Sequence, residues 1–177
     1  TKTGNVLQTK KYWNFSFNQK KGKESDLAQD VEDVLTDSVR AHMVSDVPVG
    51  AFLSGGIDSS VIATLMQKSS EDKISTFSVG FENLNEFPDS RRVAKDIDSD
   101  HTEIVISSEE YFNELPKLVW HFDEPVADPS AIALYFVARE TSKKVKVVLS
   151  GEGADELFGG YNIYLEPFAL GWMKFIP

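Results

Sequence analysis

Eight consecutive residues, Leu53-Ser54-Gly55-Gly56-Ile57-Asp58-Ser59-Ser60, bring three hydroxyls, a carboxylate and a pair of glycines to one point of the chain. The apolar run Val47–Leu53 stops at them, and Ile57, Val61, Ile62 and Leu65 follow at helical spacing. A buried strand feeding a helix through such a turn aims free backbone N–H groups and the positive helix end at one spot, which favours phosphate. The glycines let a ligand approach the backbone, and the hydroxyls add donors. Neither Gly-x-x-x-x-Gly-Lys nor Gly-x-Gly-x-x-Gly is present, so the two familiar phosphate loops are excluded. A tight structural turn with a Ser or Asx cap is the plain alternative for Ser-Gly-Gly. Asp58-Ser59-Ser60 at this spacing weighs against it.

A second stretch repeats the pattern. Leu149 ends an apolar run, and Ser150-Gly151-Glu152-Gly153-Ala154-Asp155-Glu156-Leu157-Phe158-Gly159-Gly160-Tyr161 follows, with three carboxylates in five residues. Carboxylates beside phosphate imply a divalent cation or a cationic or amine substrate. An acidic helix start explains one or two of the acids but not the glycine pairs around them. Asp123-Glu124-Pro125-Val126-Ala127-Asp128-Pro129-Ser130-Ala131 reads as an ordered loop in which Asp128 or Ser130 caps a helix, with facing the substrate as a secondary role for the loop. Val79, at the end of Phe77-Ser78-Val79-Gly80-Phe81, is either a core valine or an apolar contact for a planar ring. His42, His101 and His121 lack metal-ligand spacing, and no Gly-x-Ser-x-Gly elbow occurs. His101, at the start of the third strand, is placed to lie near the site, but a structural role is the better reading.

These stretches need elements to hold them. Strands are expected over about 47–53, 74–80, 102–106 and 144–149, with helices over about 58–68, 88–98 and 130–142. Ser107-Ser108-Glu109-Glu110 is a capping box opening another helix, which Pro116 should kink or split. Ahead of these, Ser25 is expected to cap a packing helix with Leu27, Val31, Val34 and Leu35 on its apolar face. Tyr12–Phe17 alternates as an edge strand would. The β–α alternation with near-continuous apolar strands predicts an α/β fold, a parallel sheet with helices on both faces. Its ligand belongs at the carboxyl ends of the strands, where all these stretches fall.

Composition bounds the function. The 177 residues suit one α/β domain, and 41% hydrophobic with 26% charged residues is ordinary for a globular protein. A net charge of −10 argues against nucleic acid as a partner. No apolar run reaches the roughly 20 residues that span a membrane, and no signal pattern opens the chain. The absence of cysteine rules out disulfides and thiolate chemistry. A cytoplasmic setting is expected.

Taken together, Val47–Gly50, Leu53–Ser60, Asp123–Pro125 with Asp128–Ser130, and Leu149–Tyr161 resemble the synthetase domain of the glutamine-hydrolysing asparagine synthetase family. The Ser-Gly-Gly-x-Asp-Ser loop marks the wider ATP pyrophosphatase group, and the Ser150–Tyr161 segment is more specific. The resemblance implies an adenine nucleotide α-hydrolase-like fold with strand order 3-2-1-4, which sets the Ser54 and Ser150 loops side by side. It implies that an aspartate side-chain carboxylate attacks the α-phosphorus of ATP, giving β-aspartyl-AMP and pyrophosphate, and that ammonia then displaces AMP. Ser54, Gly55, Gly56, Ser59 and Ser60 would cradle pyrophosphate. Leu53, Val79, Ser150 and Gly151 would seat the adenosine, Asp58 and Asp155 would hold Mg²⁺, and Glu152 would position the acyl-adenylate or the amine.

Family members carry a cysteine-headed glutaminase domain that supplies ammonia, and this chain has none. Residues 1–23 are expected to be a lead-in arm from it, and 24–177 a synthetase domain cut short in the apolar segment Trp172–Pro177. Such a piece is expected to bind nucleotide but to be inactive alone; homo-oligomerisation is left open. A β-lactam synthetase-like or peptide- or glycan-modifying relative, and a non-catalytic nucleotide-binding module, are the rival readings.

Overall fold

The computed structural model describes residues 6, 8–16, 18–82, 85–124 and 128–171. Phe17, the middle of the Asp123–Ala131 loop and the closing Trp172–Pro177 segment lie outside the described residues.

The chain alternates helix and strand. It runs α1 (Glu24–His42), β1 (Val49–Phe52), α2 (Ile57–Lys68), β2 (Ser75–Phe81), α3 (Phe87–Asp96), β3 (Asp100–Ile106), α4 (Ser108–Phe122), α5 (Pro129–Thr141) and β4 (Val147–Leu149). A short α6 (Ala154–Phe158), a 3₁₀ turn (Asn162–Leu165) and α7 (Glu166–Ala169) close it. All three strand pairings are parallel, in the order β3-β2-β1-β4, with Ala51 opposite Thr76 on one side and Leu149 on the other. The expected α/β fold and strand order both appear. They make β1 and β4 neighbours, with the loops that follow them at one edge of the sheet.

Each face of the sheet is covered. On one, Ala51 and Leu53 pack with Ala63, Leu65 and Met66 of α2, Ala94 of α3 and Val39 of α1. On the other, Phe77 and Ile104 pack with Val137 of α5 and with Val145. Phe77 is fully buried, and burial of a phenylalanine is worth about 1.5–3 kcal/mol. Among the described residues, no helix is long and apolar enough to cross a membrane.

Several local expectations are corrected. Residues 12–16 form no strand; Tyr12 is almost wholly exposed, and no ladder includes this segment. Helix α1 starts at Glu24 on Lys23 with no side-chain cap, so Ser25 lies inside its first turn. Glu24 and Asp26 there suit the positive helix end. Leu35 and Val39 carry its packing, while Val31 and Val34 are exposed. Of the kink or split expected at Pro116, the split does not occur, and α4 runs through it. The proline removes a bond to the carbonyl of Phe112, an exposed residue, so water can take that place. Ser107 caps α4 by accepting the Glu110 N–H at 3.1 Å. The reverse half of the box is diverted, because the Glu110 carboxylate takes Arg139 at 2.5 Å.

Candidate functional site

A cavity of about 310 Å³ opens where β1, β2 and β4 end. Its walls include Phe52, Leu53, Ser54, Asp58 and Ser59 from the β1–α2 junction, and Phe77, Ser78 and Val79 from β2. Ser150, Gly151, Glu152, Gly153, Asp155 and Tyr161 line it from beyond β4, and Ser130, Leu134 and Val137 from α5.

The first loop is knitted by its own serines. Ser59 Oγ accepts the Ser54 N–H at 3.2 Å, lies 2.9 Å from Ser54 Oγ and donates to the Gly56 carbonyl at 3.3 Å. Ser54 Oγ accepts the Gly56 N–H at 3.2 Å. The turn is made by Gly55, whose φ of +89° disfavours any side chain. A Cβ there would also lie 2.7 Å from Asp89 Cβ and from the Ser90 backbone nitrogen. No side chain caps α2. The first N–H groups of that helix, which have no partner within it, remain available to an acceptor at the cavity.

The second loop leans on the first. A Cβ at Gly151 would lie 2.8 Å from the Ser59 nitrogen and 2.9 Å from Asp58 Cβ, so only glycine lets the strand-four backbone rest on the first turn of α2. Within the loop, Ser150 Oγ accepts the Glu152 N–H at 3.4 Å, and Gly153 turns with a φ of +89° in open space. The Asp155 carboxylate lies against Gly160, and the Gly160 N–H returns to the Asp155 carbonyl at 3.0 Å. Glu156 faces elsewhere and accepts the Tyr161 hydroxyl at 2.9 Å. That bond pushes the Tyr161 phenol up to about 12.

Of the residues singled out in the sequence, Leu53, Ser54, Asp58, Ser59, Val79, Ser150, Gly151, Glu152 and Asp155 meet at this cavity. Gly55 and Ser60 instead border a groove between α1, α2 and α3, and Gly56 lines neither. Ser60 Oγ is buried without a hydrogen-bond partner among the described residues. Val79 packs on the Phe77 cluster, as its core reading expects, and also lines the cavity. Asp128 is the α5 cap, taking the Ser130 N–H at 2.9 Å and the Ser130 hydroxyl at 2.7 Å. Those two bonds hold its carboxyl below the usual carboxylate range. Ser130 belongs to the loop whose secondary reading is to face the substrate, whereas Leu134 and Val137 of the α5 wall escaped sequence reasoning. They follow Ser130 at four- and three-residue spacing, the stripe of a buried helix face, which does not say what it faces. Ser78 was likewise read only as part of a strand.

Among the described residues, no three or more His, Asp or Glu side chains are grouped to hold a metal. The cavity offers Asp58 and Asp155, which suits a hard cation that takes one or two carboxylates and fills its other positions with phosphate oxygens and water.

Comparison with known proteins follows this geometry. The family model described as asparagine synthase matches residues 30–176. Asparagine synthetase [glutamine-hydrolyzing] 1 of Bacillus subtilis is 53% identical over 170 residues, which are 95% of this chain and 27% of that protein. Asparagine synthetase B [glutamine-hydrolyzing] of Escherichia coli is 30% identical over 148 residues, 75% of this chain and 27% of that one. The chain thus spans about a quarter of the length of these relatives. Among solved structures, an NH3-dependent NAD synthetase of Campylobacter jejuni superposes with a TM-score of 0.53 at 18% identity, covering 76% of this chain and 60% of that one. At that identity the likeness speaks for the fold alone, which is adenine nucleotide α-hydrolase-like.

Proposed function

The chain belongs to the asparagine synthase family, and from that premise we propose that it is the ATP-binding part of an enzyme that amidates aspartate in the cytoplasm. Residues 24–177 would form the synthetase part, and 1–23 the lead-in from a glutaminase domain that supplies ammonia. The observation that carries this reading is the seat of Gly151 on the first turn of α2, which makes one cavity of two Ser-Gly loops.

In this reading Leu53, Val79, Ser150 and Gly151 seat the adenosine between the strand ends. The phosphates extend toward the start of α2, where uncapped N–H groups and the hydroxyls of Ser54 and Ser59 receive them. Gly55 and Gly56 shape the turn, and Ser60 supports it from the α1–α2–α3 side. The aspartate carboxylate attacks the α-phosphorus, and the bond to the β-phosphate breaks to release pyrophosphate. Ammonia then attacks the acyl carbon and AMP departs with the bonding electrons. Asp58 and Asp155 would hold Mg²⁺, which when bound offsets charge on the phosphate oxygens. Glu152, exposed at the cavity mouth, is suited to orient the adenylate or hold the incoming amine.

Calorimetric titration with ATP in the presence and absence of Mg²⁺ tests this. The chain should bind ATP·Mg²⁺, and Asp58→Asn should weaken that binding about ten-fold while changing the affinity for metal-free ATP much less. Equal losses with and without the metal would exclude Asp58 as a ligand. No binding by the folded wild-type chain would refute the nucleotide site itself.

A further inference from the structure

Beneath the cavity runs a chain of polar groups that the reaction does not use. Ser78 Oγ donates to the Leu53 carbonyl and lies 3.3 Å from His101 Nε2. His101 Nδ1 lies 2.9 Å from Thr76 Oγ1, which lies 2.9 Å from Ser99 Oγ. Thr76 and Ser78 are buried, and His101 stands opposite Thr76 in the β2–β3 ladder. A carbonyl oxygen only accepts, so Ser78 spends its one hydrogen on Leu53 and must accept from His101 Nε2. Ser99 has one hydrogen for two acceptors, Thr76 Oγ1 at 2.9 Å and the Ala94 carbonyl at 3.4 Å. Given along the shorter contact, it leaves Thr76 to donate to Nδ1 of a neutral ring that carries its hydrogen on Nε2.

We propose that His101 is a positioning residue for the nucleotide: through its Nε2–H it holds the Ser78 hydroxyl on the Leu53 carbonyl, and so fixes the floor on which the adenosine lies. This rests on the ATP reading above. Leu53 and Ser78 line the cavity while His101 does not, so the imidazole acts through Ser78 and never touches the ligand. Without that donor, the Ser78 hydroxyl loses the bond that fixes its oxygen. It can then turn toward the cavity, and the Leu53 carbonyl is left to the ligand's base or to water.

The device tolerates acid. The charged groups around the ring are Glu103 and Asp100 on β3 and Arg91 on α3; burial, helped by the positive charge of Arg91, outweighs the two carboxylates and holds the imidazole below its ordinary 6.5. If the ring does gain a proton, Nδ1 becomes a donor and Thr76 turns its hydrogen to Ser99. Ser99 can pass its own to the Ala94 carbonyl at 3.4 Å. Nε2–H points at Ser78 in both charge states.

Two amide replacements separate this role from mere packing. Gln carries an N–H donor at the ε position, whereas the Asn donor sits only at the δ position. His101→Gln should bind ATP·Mg²⁺ within about two-fold of the wild type, and His101→Asn about ten-fold more weakly. Ser78→Ala should cost a similar factor, and combining it with His101→Asn should add little more, because one acts through the other. The ¹⁵N resonances of the ring should report the Nε2–H tautomer. Equal affinity of the Asn and Gln variants, additive losses in the double variant, or an Nδ1–H tautomer would overturn the assignment while leaving ATP binding by the wild type intact. A folded wild-type chain that binds no ATP would overturn the nucleotide reading, and this one with it.

Discussion

The loops after β1 and β4 open on the same dipeptide, Ser-Gly, at the ends of neighbouring parallel strands, and they are stabilised in opposite ways. In the first, Ser54 and Ser59 tie backbone and side chains together, and Gly55 is wedged against the start of α3 before a twelve-residue helix. In the second, one long bond to Ser150 precedes Gly153 in open space and a five-residue helix. The second loop takes its order from the first, through Gly151 resting on α2. On the reading proposed above, the braced first loop would grip the nucleotide and the less braced second one, which carries the carboxylates, would meet the changing substrates.

The sharpest way to break that contrast uses two glycines with the same backbone angle. Gly55 and Gly153 share a φ of +89°, so replacing either with alanine costs about 1–2 kcal/mol of left-handed strain. Only at Gly55 does the new methyl meet atoms, at 2.7 Å from Asp89 Cβ and the Ser90 nitrogen. Overpacking against backbone adds about 1–3 kcal/mol. Gly55→Ala should therefore lower urea-unfolding stability by about 2–5 kcal/mol, and Gly153→Ala by about 1–2 kcal/mol. Equal losses would mean that the first loop is no more tightly braced than the second.

The serines give a smaller version of the test. Ser59→Ala removes three contacts, leaves the Ser54 N–H unpaired and should cost about 1–2 kcal/mol. Ser150→Ala removes a single bond of 3.4 Å and should cost about 0.5 kcal/mol or less. Thermal unfolding of the two variants side by side measures the difference. A larger loss at Ser150 would reverse the assignment of the rigid half.

Much of this was legible in the sequence, for identifiable reasons. Apolar runs ending at Ser-Gly marked β1 and β4, and continuous Val, Ile and Phe marked a sheet buried on both faces. Strand order came from the family resemblance, since periodicity says nothing about neighbours. What escaped depended on contacts distant in sequence. The alternation of Tyr12–Phe17 could not reveal that residues 12–16 stay outside the described sheet. Ser25 looked like a cap because the turn before it carries no stronger signal. Pro116 was judged by its missing N–H and not by the exposure of Phe112. The side of α2 that Gly55 and Ser60 face is set by α1 and α3, and the α5 wall by a stripe that any buried helix shows. The role given to His101 needed the register of β3 on β2, which no local pattern encodes.

The last and smallest effect concerns how the compliant loop divides its three acids. Glu152 and Asp155 line the cavity, while Glu156 does not and accepts the Tyr161 hydroxyl. The carboxylate favours the neutral phenol, and the fold raises it from 10.0 to about 12. In the unfolded chain the phenol would ionise from about pH 10. The contribution is therefore full below that value and fades as pH rises toward 12. Because the ring is exposed, the change in stability is small, and the phenolate absorbance is the better readout. Of the five tyrosines, Tyr161 should titrate late in the wild type, and Glu156→Gln should move it back toward 10. The first loop offers no counterpart, since hydroxyls and backbone knit it. A Tyr161 that titrates at its ordinary value in the wild type would free Glu156. The cavity mouth would then carry three competing acids instead of two placed ones.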